Sequence, residues 1–455
     1  MTAAVATSSP NENQLVTDQL TGLLTRASLK EFLSVYETPS ELQRISILAV
    51  ELSRFGVVND SVGTTIGDKI ISNTAKRLAK VFPHAKAISR LHGDHFGLIF
   101  EDCENIEEEV TRLLDFSQRP LAIRGEVIVL SVRIGVANNH LAAETTDELL
   151  HAAEVALHAL HYTKNKSAQV SYFDSSMTNA ARSIHQLEND LRVSLVTNAA
   201  ELHQAINNAE FELRYQPIVE SKTGKVHAFE ALLRWNHPTR GIVSPALFIP
   251  MAEQIHVMSV LGSWIIRRAC ADAMTWESNN DGSEPAVSIN VSPIQFLEAE
   301  ILISTVKTAI EETGIDPQRV KIEITESADF APSMKEHLEE LRALGCKISL
   351  DDFGTGFSSI AQLVELPVDY VKIDRSLVKN LGHDDPEIAS QAVRLAKSVL
   401  GLGDSLELTS IVEGIETEAG VKAVQELGGD LIQGYVFSKP LVADDVNNFI
   451  ENTRD

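Results

Sequence analysis

The chain has 455 residues, enough for two or three domains with full hydrophobic cores. Apolar residues at 44% and charged ones at 23%, with only 24 Gly and 15 Pro, exclude disordered, collagenous and low-complexity classes. Lys plus Arg number 39 against 64 Asp plus Glu, a net charge of −25, so the bulk surface repels a nucleic-acid backbone and no duplex binding is expected.

Cys103, Cys270 and Cys346 stand far apart without CxxC or Cys/His spacing, which argues against a disulfide framework or a zinc module and for a reducing, cytoplasmic setting. Met1 to Gln14 lacks a basic segment followed by an apolar core, and no apolar run approaches the roughly 18 residues of a membrane span, so neither secretion nor membrane insertion is expected.

Residues 1–12 read as a flexible N-terminus. Residues 13–174 then alternate between helical and strand periods. Thr25 to Tyr36 is helical, Ile45 to Leu52 a strand, Thr65 to Val81 an amphipathic helix, and Ala87 to Leu91 with His95 to Phe100 two strands around a tight turn. Asn105 to Phe116 is helical, Glu126 to Ala137 a strand, Glu144 to His161 a helix and Ala168 to Phe173 a last strand. The order β-α-β-β-α-β is ferredoxin-like. Residues 175–208 hold no Gly or Pro and space Leu187, Leu191, Leu195, Leu202 and Ile206 in a helical manner, which predicts a stiff helical connector, broken around Thr197 and Asn198.

Residues 209–455 alternate strand and helix to the end. The strands are expected at Glu212 to Val219, Val226 to Trp235, Ala286 to Val291, Val320 to Ile324, Cys346 to Leu350, Tyr370 to Ile373, Leu408 to Val412 and Leu431 to Phe437. Eight strands separated by helices over this length predict a (β/α)8 barrel, so the whole chain is of the α/β class. Barrel chemistry sits at the C-terminal rim of the strands, where the sequence places Glu230, Asn290, Glu323, Asp351 with Asp352, Lys372, Glu413 and Gln433. Any one of these has an ordinary reading as a turn residue or helix N-cap, and Lys372 one as a structural ion pair. Seven successive strand ends of this kind point to a site. Carboxylates crowded on one mouth repel unless cations or protons neutralise them, and a set of oxygen ligands without His or Cys suits Mg²⁺ or Mn²⁺. Two such metals in a carboxylate site are the usual solution for phosphodiester hydrolysis.

The strings YQPIV (215–219), EALLRW (230–235), NVS (290–292), EITES (323–327), DDFGTGFSS (351–359), VKIDRS (371–376), VEGIET (412–417) and QGYVFSKP (433–440) resemble, in order and spacing, the EAL phosphodiesterases that open cyclic di-GMP to linear pGpG. The resemblance implies that Glu230, Asn290, Glu323, Asp351, Asp352 and Glu413 hold two divalent cations, and that Lys372 acts on the nucleophilic water. It implies that Glu326 braces the DDFGTGFSS loop, that Glu416 adds a second acidic position, and that Gln216, Arg234 and Gln433 face the dinucleotide. A guanidinium such as that of Arg234 forks onto phosphate oxygens. The departures are small: Val412 where the family prefers alanine, and an extra stretch between Leu195 and Phe211.

The segments DQLTGLLTR (18–26), VELSRFGVVNDSVGTTIGD (50–68) and RLHGDHF (90–96) resemble the GGDEF diguanylate cyclase fold. The signature turn reads His92-Gly93-Asp94-His95-Phe96. His92 puts a side chain where the triphosphate would approach, His95 replaces an acid, and Ser53 and Gly56 stand where the family has an acid and a phosphate-binding lysine. The RxxD product-inhibition motif is absent at Pro83 to Lys86. Cyclase activity is therefore not expected. Asn59 and Asp68 match the pair that reads the guanine edge, and Asp94 with Glu51 could hold one Mg²⁺. A GTP-binding regulatory domain and a scaffold with a dimerising role both remain open. His84, His92 and His95 are expected to face solvent rather than hold a metal.

The leading reading is a metal-dependent cyclic di-GMP phosphodiesterase with a degenerate GGDEF domain. The alternatives are a catalytically silent receptor relaying cyclic di-GMP or GTP occupancy to a protein partner, and a bifunctional cyclase and phosphodiesterase. A homodimer is the expected assembly by the same resemblance.

Overall fold

The computed structural model describes residues 15–453 except 37, 54, 56–63, 104, 124–125, 129–130, 139–144, 163–167, 197–209, 326–331, 355–364 and 384. The chain divides into two compact units, residues 1–187 and 188–455.

In the first unit, strands β1 (Leu24–Thr25), β2 (Ile45–Ser53), β3 (Ala87–His92), β4 (His95–Glu101), β7 (Ser131–Ala137) and β8 (Val170–Tyr172) form one sheet in the order β1-β3-β4-β2-β7-β8. Its four central strands, β3-β4-β2-β7, are antiparallel and have the ferredoxin-like arrangement. The sheet is covered on both faces. Leu48, Val50 and Leu52 pack in a core with Ile70, Leu78, Val110 and Leu113, whereas Ile47 and Ala49 pack with Leu29, Leu33, Leu150 and Leu157. Double coverage explains why the β2 run ISILAVEL is nearly all apolar instead of alternating.

The expected strand Glu126 to Ala137 divides in two. β5 (Leu121–Ile123) and β6 (Glu126–Ile128) pair with each other as a separate hairpin, and only Ser131–Ala137 joins the main sheet. An unbroken apolar run does not reveal where its pairing partner changes. The helix Ser175–Val196 occupies the first part of the expected connector, with Leu187, Leu191 and Leu195 buried. The break expected at Thr197 and Asn198 lies outside the described residues.

In the second unit, β9 (Phe211–Glu220), β10 (Val226–His237), β12 (Ala286–Asn290), β13 (Val320–Thr325), β14 (Lys347–Phe353), β15 (Tyr370–Ile373), β16 (Thr409–Val412) and β17 (Leu431–Gln433) close into an eight-stranded barrel. The short strands β11 (Gly241–Val243) and β18 (Leu441–Val442) extend β10 and β9. Strands β10 and β12 to β17 are parallel, but β9 runs antiparallel to both neighbours, β10 and β17. Residues 221–225 are too few for a crossover helix, so the first two strands can only form a hairpin. Ile218, Ala228, Ala286, Ile411 and Leu431 fill the lower interior. The polar inner residues lie above them.

Candidate active site

Lys372 on β15 is 1% exposed, a cost that only opposite charge can repay. Its Nζ lies 2.8 Å from Glu413 Oε1, 2.9 Å from Glu323 Oε2, 3.2 Å from Asp351 Oδ1 and 3.5 Å from Glu230 Oε2. Four strands thus bring four carboxylates onto one ammonium. Glu230 is fixed further by amides, since Asn290 Nδ2 donates to its Oε1 at 2.7 Å and Gln433 Nε2 to its Oε2 at 2.6 Å. Gln216 stands directly opposite Glu230 in the β9–β10 pairing.

The charges respond as crowding requires. Burial alone would raise the Glu230 carboxyl, but Lys372, Gln433 and Asn290 together hold it below its usual range. Burial pushes Glu323 well up, and Glu230 and Asp351 add to this against the pull of Lys372. Glu413 is pushed up to about 8 by burial, again with Asp351 and Glu230 opposing Lys372, although 19% of its side chain reaches solvent. Burial disfavours the Lys372 ammonium, yet the surrounding carboxylates keep it charged well above its ordinary pKa.

The paired aspartates lie on a bulge. The β14–β15 register shifts between Leu350 and Phe353, Asp352 takes φ 57°, and its N–H donates to Asp351 Oδ1 at 2.9 Å. A bulge re-aims the side chains that follow it, and a non-glycine residue in the left-handed region is strained. Gly354 follows at φ 90°, a conformation that glycine takes without strain. Past Gln433 the chain turns instead of continuing as the expected strand to Phe437. A Cβ on Gly434 would stand 1.9 Å from the Ile415 carbonyl oxygen, so the Gln433 and Glu413 loops are locked together through glycine.

Arg234 is half-buried, and its pKa is lowered by burial and by the charge of Arg214. Glu416 pairs with Arg375 at 2.9 Å on an exposed surface. Glu326 lies outside the described residues. Two contributors escaped the sequence reading. Ser288 donates to Glu323 Oε1 at 2.5 Å, and Arg375 holds Glu416. Ser288 is two residues before Asn290 and so shares its inward face, a signal available from strand period.

The oxygen-only donor set of Glu230, Asn290, Glu323, Asp351 and Glu413 fits a hard divalent cation chemically. Among the described residues, no group of three His, Cys, Asp or Glu side chains converges as a metal cage; the carboxylates converge on Lys372. The upward pull on Glu323 and Glu413 follows from burial and from four carboxylates sharing one ammonium.

The corresponding corner of the first unit is different. Glu51 is opposite His95 on β4 and Arg133 on β7. His161 Nε2 lies 2.9 Å from Glu51 Oε2, while Arg133 donates to His161 Nδ1 at 3.0 Å, which leaves the ring proton on the nitrogen facing Glu51. Burial would raise Glu51, but His161 with His95 and Arg133 holds it below its usual value. His95 Nδ1 lies 3.2 Å from Asp94 Oδ1, and its ring is 4.2 Å from that of His92. Burial would lower His95, yet Asp94 and Glu51 raise it.

The expectation of solvent-facing histidines therefore fails for His95, whose side chain is only 24% exposed, because it packs between Asp94 and the end of β2. His84 stays 44% exposed, beside Glu109 at 3.0 Å. Asp68 is exposed on the helix Thr64–Val81, and Asn59 lies outside the described residues.

An eight-stranded barrel with a lysine-centred carboxylate rim, preceded by a ferredoxin-like domain with a His-Gly-Asp-His turn, defines a tandem two-domain α/β architecture. The EAL domain model matches residues 199–440 and the diguanylate cyclase, GGDEF domain model residues 15–167. The chain belongs to the EAL-domain family, with a GGDEF domain in tandem. The cyclic di-GMP phosphodiesterase NbdA of Pseudomonas aeruginosa is 30% identical over 443 residues, which cover 96% of this chain and 54% of that protein. The bifunctional diguanylate cyclase/cyclic di-GMP phosphodiesterase MucR of the same organism is 31% identical over 437 residues, 94% of this chain and 60% of that one. The chain spans about half the length of the curated relatives it matches. The solved EAL enzyme Bd1971, in its cAMP- and cyclic-di-GMP-bound form, is 29% identical with a TM-score of 0.52, covering 80% of this chain and 92% of that one. No helix among the described residues is long and apolar enough to cross a membrane.

Proposed function

We propose that the second unit hydrolyses cyclic di-GMP to linear pGpG with the help of two divalent cations, Mg²⁺ or Mn²⁺. The observation that carries this reading is the buried Lys372 ringed by Glu230, Glu323, Asp351 and Glu413 on the rim of the barrel. Glu230, Asn290, Glu323, Asp351, Asp352 and Glu413 would hold the cations, which when bound supply Lewis acidity toward the phosphodiester and toward water. Asn290 and Gln433 orient Glu230 by donating to separate oxygens, so its position is set before any ligand arrives. Lys372 keeps its proton throughout the working pH range and places a fixed positive charge beside the attacking oxygen and the charge that develops on phosphate. Arg234 and Gln216 meet the dinucleotide, Arg234 through its phosphate. Glu416 acts on the same rim through Arg375, and Glu326 braces the loop after the aspartates.

We read residues 13–174 as a GGDEF domain without cyclase turnover, residues 175–208 as a connector and residues 209–455 as the phosphodiesterase. Glu51, Asn59, Asp68 and Asp94 remain the residues that would meet GTP if the first unit is a receptor; otherwise it is a scaffold that supports a homodimer. Incubation of the protein with cyclic di-GMP and either metal should yield linear pGpG, and no product with either would sink the enzyme reading. The same assay with GTP separates the two roles of the first unit: a changed rate that Asp68→Ala cancels marks a receptor, and an unchanged rate marks a scaffold.

A further inference from the structure

The last turns of the helix Ser175–Val196, from Glu188 on, belong to the second unit. Leu191 and Leu195 are buried, at 0% and 3% exposure. Polar contacts tie these turns to the residues at the end of β10. His237, at the end of β10 and 5% exposed, places Nε2 3.2 Å from Asp190 Oδ2. Ser194 Oγ donates to Glu210 Oε2 at 2.9 Å, and the same oxygen accepts from Trp235 Nε1 at 3.3 Å. The Glu210 carbonyl in turn accepts the Asn236 N–H at 2.6 Å. His237 Nδ1 accepts the N–H groups of Thr239 and Arg240 at 3.2 and 3.3 Å, so its proton is on Nε2, directed at Asp190.

Strand period decides what this grip controls. Glu230, Leu232 and Arg234 share one face of β10, while Leu233, Trp235 and His237 share the other. Arg234 senses the charges of Glu230 and Tyr435, which places it on the reactive side. The helix thus holds the back of the strand segment whose front presents the guanidinium.

We propose that Asp190 and Glu210 are positioning residues for Arg234, acting through His237 and Trp235, so that the seating of the connector helix sets affinity for the anionic dinucleotide. The inference rests on the proposed cyclic di-GMP reading. His237 is three residues from Arg234, about 10 Å along a strand, but seven from Glu230, about 23 Å. Loosening the grip therefore disturbs substrate binding before it disturbs the acid.

The test is Asp190→Ala and Asp190→Asn in the full chain. Asp190→Ala should raise KM for cyclic di-GMP about five- to tenfold with kcat within about twofold, while Asp190→Asn, which keeps an acceptor for His237 Nε2, should restore the wild-type KM. Hydrogen exchange read by mass spectrometry should quicken in residues 234–243 of Asp190→Ala and stay unchanged in residues 286–290 and 320–325. Unchanged exchange at 234–243 overturns the proposal whatever the substrate proves to be. A loss of kcat at constant KM also overturns it. A wild-type protein that neither binds nor cleaves cyclic di-GMP, with the exchange result as expected, overturns the functional reading alone.

Discussion

Each unit gathers acids on its strands, four strands of the barrel in one and the β2 edge with the adjacent turn in the other, and each surrounds them with different bases. On the barrel rim four carboxylates share the single ammonium of Lys372, a formal charge of 1 − 4 = −3, and burial with this crowding raises Glu323 and Glu413. Beside the His-Gly-Asp-His turn, Glu51 is faced by Arg133, His161 and His95, and Asp94 by His95. The first cluster is short of positive charge and is suited to accept divalent cations. The second is compensated by the chain's own bases, so a Mg²⁺ ion there would have to compete with Arg133. Acids on strands thus serve opposite ends according to the bases that face them.

The largest test of this contrast is metal removal. Chelation should abolish cyclic di-GMP turnover, and Mg²⁺ or Mn²⁺ should restore it; turnover that survives chelation breaks the contrast at its root. Next, Glu230→Ala should lower kcat by about 10³-fold or more, a loss of the size expected when charge-stabilising groups leave a preorganised site. Gln433→Leu, which frees one oxygen of Glu230 without removing a carboxylate, should cost about 10- to 100-fold, measured as kcat/KM at saturating metal. In the other unit, Arg133→Ala should destabilise the fold by about 1–3 kcal/mol in urea unfolding, because Glu51 and His161 lose a shared partner. It should leave the phosphodiesterase kcat within about twofold. A deep loss of kcat would show that the two clusters are not independent.

The smallest effect concerns pH. His227, in the bulge at the start of β10, has its pKa lowered to about 3 by burial and by the Lys321 charge. Between its ordinary 6.5 and about 3 the unfolded chain binds a proton that the folded one does not. Stability from this group is therefore complete above 6.5 and is lost as pH falls through that window, with a slope of up to about 1.4 kcal/mol per pH unit. His227→Gln should flatten this slope in unfolding measured between pH 6.5 and 4.

Much of the barrel site was legible because most rim residues are marked locally, by a short apolar strand with an acid, amide or lysine at or just past its end, while Glu230 lies inside the longer β10. Residues such as Glu230, Glu323 and Glu413 needed only the assumption of closure to become neighbours. The antiparallel β9 was implicit in the shortness of residues 221–225, although eight strands in a row suggested a wholly parallel barrel. The histidine contacts of the first unit were not legible. His161 lies 110 positions beyond Glu51 in a different element, and nothing in its own neighbourhood marks it as a partner. Nor does the string HGDHF tell that His95 is packed inward while His92 stays exposed.

By itself the sequence determined the two fold classes, the order of their elements and the residue types available on the barrel rim. Those follow from hydrophobic period and from chemistry that stays within a few residues. Only the tertiary structure decided which group partners which: one lysine with four carboxylates in the barrel, an arginine and a histidine with one glutamate in the first unit, and an aspartate of the connector helix with His237. Electrostatic energy depends on distance in space and on burial, and the chain order records neither.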